Sequence, residues 1–210
     1  MTGLESAEDF HARVLAAAGE DGRLAFRADD AMAAWDIYPY ELDGLRMKPL
    51  APLADAEPPR RGETAEECWC PAGVPPEKEL AWSNERWVLQ ALPGTLPAEL
   101  MLQPRTHHDL GDLPADLAAE MGVLTVAIAA AVESLPAVAR CQLARYGDGG
   151  AHLHLFFLGR PSRMLQLRGS PLLDWADQLP PLPDDVRRAH AAHVGTLVQD
   201  AVGGFGPSGL

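Results

Sequence analysis

Gly147-Asp148-Gly149-Gly150-Ala151-His152-Leu153-His154-Leu155-Phe156-Phe157-Leu158-Gly159-Arg160-Pro161 begins as a glycine-rich turn and runs without a break into alternating residues. Glycine tolerates positive φ, which suits a main chain that curls closely around a ligand. The alternation from Ala151 to Leu158 predicts a β-strand, whose side chains project to opposite faces. His152, His154 and Phe156 then share one face, and Leu153, Leu155 and Phe157 the other. Paired imidazoles beside a loop of backbone amides form a site suited to phosphate chemistry.

The flanking segments predict what this strand packs against. Leu113 to Leu135 reads as a long helix, with Pro114 in its first turn and Asp116 and Glu120 toward its positive end. Leu117, Met121, Leu124, Ile128 and Val132 recur every three or four residues and form one apolar stripe facing the core. After Pro136, Cys141 to Tyr146 predicts a strand that enters the glycine turn and pairs with the histidine strand as a hairpin. Cys141 reads as a small core residue. Upstream, Ser83 to Leu92 starts with turn residues and continues as a strand punctuated by Pro93-Gly94, and Leu100 to Pro104 predicts another short strand.

The histidine strand resembles the signature of the histidine-triad (HIT) superfamily, in which His-φ-His-φ-His-φ-φ follows a glycine-containing loop. Position by position, His152 takes the first place and His154 the second. Phe156 stands in the third, a departure shared in kind by the uridylyltransferase branch, which has glutamine there. Pro104-Arg105-Thr106-His107-His108 is similar to a second superfamily segment, Pro-basic-x-His, where the chain leaves the central hairpin. The resemblance covers roughly Cys68 to Pro161.

The resemblance implies an α+β fold, an antiparallel sheet of about five strands with a long helix packed on it, often in homodimers. It implies that His154 attacks the α-phosphate of a nucleotide or nucleotide-linked small molecule, with His152 beside it. Asp148, Gly149, Gly150 and Arg160 are the expected substrate-binding residues. The amides of Gly149, Gly150 and Ala151 would cradle phosphate oxygens, Arg160 would offset their charge, and Asp148 would turn outward, orient a histidine or meet a ribose hydroxyl. It further implies a structural zinc on Cys68, Cys70, His107 and His152, a thiolate and imidazole set that suits tetrahedral coordination. Relatives carry Cys-x-x-Cys, whereas only Trp69 separates the two cysteines here, and a pair of reduced, half-buried thiols is the alternative. Two further readings stand beside the enzyme: a catalytically silent HIT-fold module that binds a ligand or partner, and a metal-stapled structural protein.

The rest of the chain bounds these readings. Its 210 residues are 47% hydrophobic and carry a net charge of −13. So acidic a chain disfavours nucleic acid as partner, because a phosphate backbone normally meets basic patches. Three cysteines, an odd number, argue against a disulfide scaffold. No apolar run is expected to reach the ~20 residues of a membrane span, and Met1 to Glu8 lacks a basic signal-peptide start, so a cytoplasmic protein is expected. Residues 1–66 read as an N-terminal helix (Ser6 to Ala18), an aromatic cluster (Trp35 to Tyr40) and a proline-rich connector, residues 67–161 as the core, and 162–210 as an extension. In that extension Asp184 to Val202 predicts a terminal helix facing inward through Val186, Val194, Leu197 and Val198. His190 and His193 on it read as a solvated pair, and Gly203 to Leu210 as a frayed tail.

Overall fold

Short runs of β-branched, aromatic and aliphatic residues form five strands: β1 (Leu80–Ser83), β2 (Trp87–Ala91), β3 (Glu99–Pro104), β4 (Val138–Ala144) and β5 (Leu155–Pro161). They build one antiparallel sheet in the order β1-β2-β3-β5-β4. Among the described residues after Pro58, three α-helices complete the α+β fold: α1 (Ala115–Glu133), α2 (Leu172–Ala176) and α3 (Asp184–Val202). This computed structural model describes residues 16–23, 51–177 and 179–206, with the single positions 12 and 49. The chain divides into two compact units, Met1–Pro58 and Pro59–Leu210.

In the first unit, Gly19 N–H donates to the Arg23 carbonyl and Gly22 N–H to that of Gly19, closing a turn after the expected helix stop. Residues 51–58 form no helix, as their prolines require. Most of the expected helix over Ser6 to Ala18 and all of the Trp35 to Tyr40 cluster lie outside the described residues.

In the second unit the period-two pattern sorts side chains between two clusters. Phe157 joins Trp82, Trp87, Leu89, Leu102 and Leu153 beneath α1 and α3, whereas its neighbour Leu158 joins Leu96, Leu167 and Leu172 in a smaller cluster. The α1 stripe behaves as expected: Leu117, Leu124, Ile128 and Val132 are buried and Met121 packs against them. The terminal helix has the expected bounds, with Val194 and Val198 buried and Leu197 packed on the core. Antiparallel pairing of β4 with β5 forms the expected hairpin ladder, Leu143 opposite Phe157 and Ala144 opposite Phe156.

Several expectations need correction. The histidine strand begins at Leu155, not Ala151, because its ladder to β3 ends at Leu102↔Leu155 and that to β4 at Ala144↔Phe156. Ala151 and Leu153 instead donate their N–H groups to the carbonyls of Arg61 (3.1 Å) and His108 (2.7 Å). The strand expected over Cys141 to Tyr146 starts at Val138 and stops at Ala144. The tail is docked as far as Gly206: Ser83 and Phe205 exchange two backbone hydrogen bonds, and Trp82 Nε1 donates to the Gly203 carbonyl at 2.7 Å. Of the expected solvated pair, His193 is exposed but His190 is half-buried. His190 Nδ1 donates to the Pro97 carbonyl at 2.7 Å, and His193 Nε2 meets Ser134 Oγ at 2.9 Å. Finally, α1 is long and apolar enough, by length and composition, to cross a membrane, with 19 residues and a mean hydropathy of 1.7. Here one side of that helix covers the sheet, while Val123 and Val126 face outward.

Candidate functional site

Where the chain enters β5, His152, His154 and Phe156 line one open cavity of about 780 Å³. That volume falls within the ~300–1,000 Å³ usual for small-molecule sites. The glycine turn forms one wall through Gly147, Gly149 and Gly150; Tyr146, Met101, Gln103, Trp69, Lys78 and Arg61 also contribute. Only Gly147 in this turn has positive φ, at 79°. Gly150 is held by a parallel bridge to Arg61, whose N–H donates to the Gly149 carbonyl at 3.2 Å. Ala151 N–H is taken by the Arg61 carbonyl, so it is not one of the expected phosphate donors. The N–H groups of Gly149 and Gly150 make no hydrogen bond among the described residues.

His154 is half-buried, and its Nδ1 lies 2.8 Å from the carbonyl oxygen of His152. A carbonyl only accepts, so Nδ1 carries the proton and Nε2 keeps the lone pair. The Phe156 ring stands edge-on to the His154 ring at 5.4 Å.

His152 has no ring nitrogen left for a ligand in the cavity. Its Nε2 donates to the Pro104 carbonyl at 2.8 Å, and its Nδ1 lies 3.1 Å from Cys68 Sγ. Burial pushes its imidazolium pKa down to about 4, so the ring is neutral. Cys70 Sγ lies 3.7 Å from His107 Nδ1, and the four donor atoms of Cys68, Cys70, His107 and His152 all fall within 4.8 Å of one another. Trp69 between the cysteines has helical backbone angles (φ −70°, ψ −25°) and leads into a 3-10 turn at Cys70–Ala72, so the chain curls tightly at the single intervening residue. Burial, and after it Cys68, pushes the Cys70 thiol up to about 11. Two thiols and two imidazole lone pairs converging on one point fit a soft divalent cation such as zinc. The Pro104 carbonyl fixes the tautomer that such a ligand needs. Trp69, between the cysteines, packs on His152 with ring centroids 5.0 Å apart, and Lys78 Nζ sits 4.3 Å above the indole.

Two expected substrate-binding residues are placed elsewhere. Arg160 lies at the far end of β5 opposite Arg140, its guanidinium donating to the Pro161 carbonyl, and it does not line the cavity. Six residue steps along the chain, at ~3.3 Å per step in a strand, separate it from His154. Asp148 is exposed and is not among the residues that line the cavity. Arg105 donates through Nε to the Asn84 carbonyl and holds the β1–β2 turn. The cations that do line the cavity, Arg61 and Lys78, come from before β1 and carry no local sequence signal.

A carboxylate clamp holds the loops together. Asp109 accepts from Arg60 at 2.6 Å and from Arg145, and Arg60 also reaches Glu63 and the Gly147 carbonyl. Asp109 therefore ties the segment before β1 to the glycine turn, and it also caps the 3-10 turn Leu110–Asp112.

No family model matches this sequence, and no curated protein matches it. Among solved structures the chain is similar to a Hit-like protein involved in cell-cycle regulation from Bartonella henselae, with 10% identity and a TM-score of 0.48 over 67% of this chain and 99% of that one. A histidine triad protein from Marinobacter aquaeolei VT8 shows 15% identity and a TM-score of 0.47, over 60% and 92% of the two chains. A Zn-bound histidine triad family protein from Mycobacterium smegmatis shows 19% identity and 0.43, over 62% and 92%. At these identities the likeness is one of fold.

Proposed function

We propose that this chain is a histidine-triad-like nucleotide hydrolase or nucleotidyltransferase in which His154 Nε2 is the nucleophile toward an α-phosphorus. The supporting observation is the 2.8 Å hydrogen bond from His154 Nδ1 to the His152 carbonyl. It leaves the Nε2 lone pair on a ring that lines a cavity of nucleotide size, beside the unpaired amides of Gly149 and Gly150.

In the first step Nε2 bonds to phosphorus while the bond from phosphorus to the leaving oxygen breaks, and that oxygen departs with the electron pair. Water, or a second acceptor in a transferase, then attacks phosphorus, returns the pair to Nε2 and gives up its proton to solvent. The glycine amides stabilise the charge that develops on the non-bridging oxygens. Phe156 offers no hydrogen bond to the departing oxygen. Substrates that release a stable phosphate or diphosphate anion therefore suit the site better than those releasing an alkoxide or amine.

Cys68, Cys70, His107 and His152 would hold a zinc ion. Bound there, zinc would staple the Cys68–Cys70 turn and the exit of β3 to the entry of β5, contributing to folding rather than to the reaction. His152 is then a ligand and support, and the nucleophile is His154 alone.

The test is incubation with a panel of isotopically labelled nucleotides and a search for a mass-shifted peptide containing His154. The expected result is an adduct in the wild type and none in His154→Ala, with folding and metal content unchanged. A silent binding module, which the apolar Phe156 favours, would bind a nucleotide yet give neither adduct nor turnover across the panel.

A further inference from the structure

Arg60 and Arg61 are adjacent in sequence but differ in their surroundings. The Arg60 guanidinium is saturated by Glu63, Asp109 and the Gly147 carbonyl. The Arg61 guanidinium is exposed, lines the cavity, and has no hydrogen bond or ion pair among the described residues. Its main chain is fixed, however: N–H to Gly149 and carbonyl to Ala151 form the parallel bridge that holds the glycine turn. The side chain thus springs from a rigid point directly beside the two unpaired amides and His154. Lys78 shares the cavity, but its ammonium already donates to Gln103 Oε1 at 2.7 Å and covers Trp69. Glu67 is the one carboxylate among the lining residues, so the wall is locally cationic in a chain of net charge −13.

We propose that Arg61 is a substrate-contacting residue, whose guanidinium binds the phosphate group presented to His154 together with the amides of Gly149 and Gly150. A planar fork of donors suits two phosphate oxygens at once, and the proximity of fixed amides makes one joint anion subsite. The inference rests on the proposed phosphate chemistry of this cavity, and it supplies the charge that Arg160, at the far end of β5, does not. Because Arg61 holds the glycine turn through its main chain only, side-chain replacement leaves the bridge intact.

The test is calorimetric titration of the full chain with a nucleoside monophosphate and with inorganic phosphate, alongside the adduct assay on His154. Arg61→Ala should weaken binding of the monophosphate roughly 10- to 100-fold, the loss of a charge-assisted contact. Arg61→Lys should recover part of it, and Asp148→Ala should bind at least as well as the wild type. Melting temperature and metal content should be the same in all three variants. Unchanged affinity in Arg61→Ala overturns the inference, even if the wild type forms the His154 adduct. Failure of the wild type to bind either ligand overturns the inference and the anion site with it. Arg61-dependent binding without any adduct keeps the subsite and removes the covalent mechanism.

Discussion

At the scale of single residues, the orientation of His154 depends on a main-chain acceptor. The His152 carbonyl is present whatever side chain occupies that position, so replacing His152 removes a metal-facing ring without removing the acceptor. His152→Ala should therefore lower zinc content while leaving some His154 adduct, whereas His154→Ala abolishes the adduct; elemental analysis and mass spectrometry read the two separately. Phe156→Gln restores a polar group beside the leaving oxygen and should raise turnover of substrates with poorer leaving groups, measured as a ratio of rates across a leaving-group series. Gly147→Ala forces a side chain into positive φ and against the Arg145 guanidinium. A denaturant melt should show a loss of about 1–2 kcal/mol or more. Burial, and after it Glu133, pushes the Cys141 thiol up to about 12. Iodoacetamide at pH 8 should therefore leave Cys141 unmodified. The paired histidines, the cysteines and His107 were legible because each sits in a recognisable local pattern. Arg61, Lys78 and Trp69 were not, since a long-range main-chain bridge and a ring stack bring them to the cavity. Arg160 misled because a strand carries its end residues far from one another.

Among the elements, helices read more truly than strands. The three- and four-residue spacing of Leu117, Leu124, Ile128 and Val132 fixed both the existence and the buried face of α1. Leu124→Ala or Ile128→Ala should cost about 2–5 kcal/mol in a thermal or denaturant melt, and Val126→Lys, on the outer face, should stay within about 0.5 kcal/mol. β1 carries no legible signature because it is four residues long, irregular in register near Trp82, and buried on so little sequence that no alternation shows. The entry of β5 looked like strand because its side chains do alternate. Hydrogen bonding, which sequence does not display, passes there to Arg61 and His108. Deleting the residues after Val202 leaves the Trp82 indole N–H without its Gly203 acceptor, and unfolding should become easier by about 1–3 kcal/mol.

For the whole molecule, the four-ligand cluster joins segments that are distant in sequence, so metal removal should be felt globally. Chelation is expected to lower the melting temperature of the wild type and leave Cys68→Ser unaffected, a comparison that scanning calorimetry makes directly. The sheet itself has two unlike margins. Along β1 the returning chain end occupies Ser83 through Phe205, while among the described residues no strand pairs with the outer side of β4. Open-ended stacking of copies requires two complementary free margins, one to offer and one to receive. Among the described residues the outer margin of β1 meets a backbone partner only at Ser83. Residues 203–206 thereby shield the Ser83 end of that margin, and their loss would bare a second row of unpaired backbone groups to which another extended chain could pair.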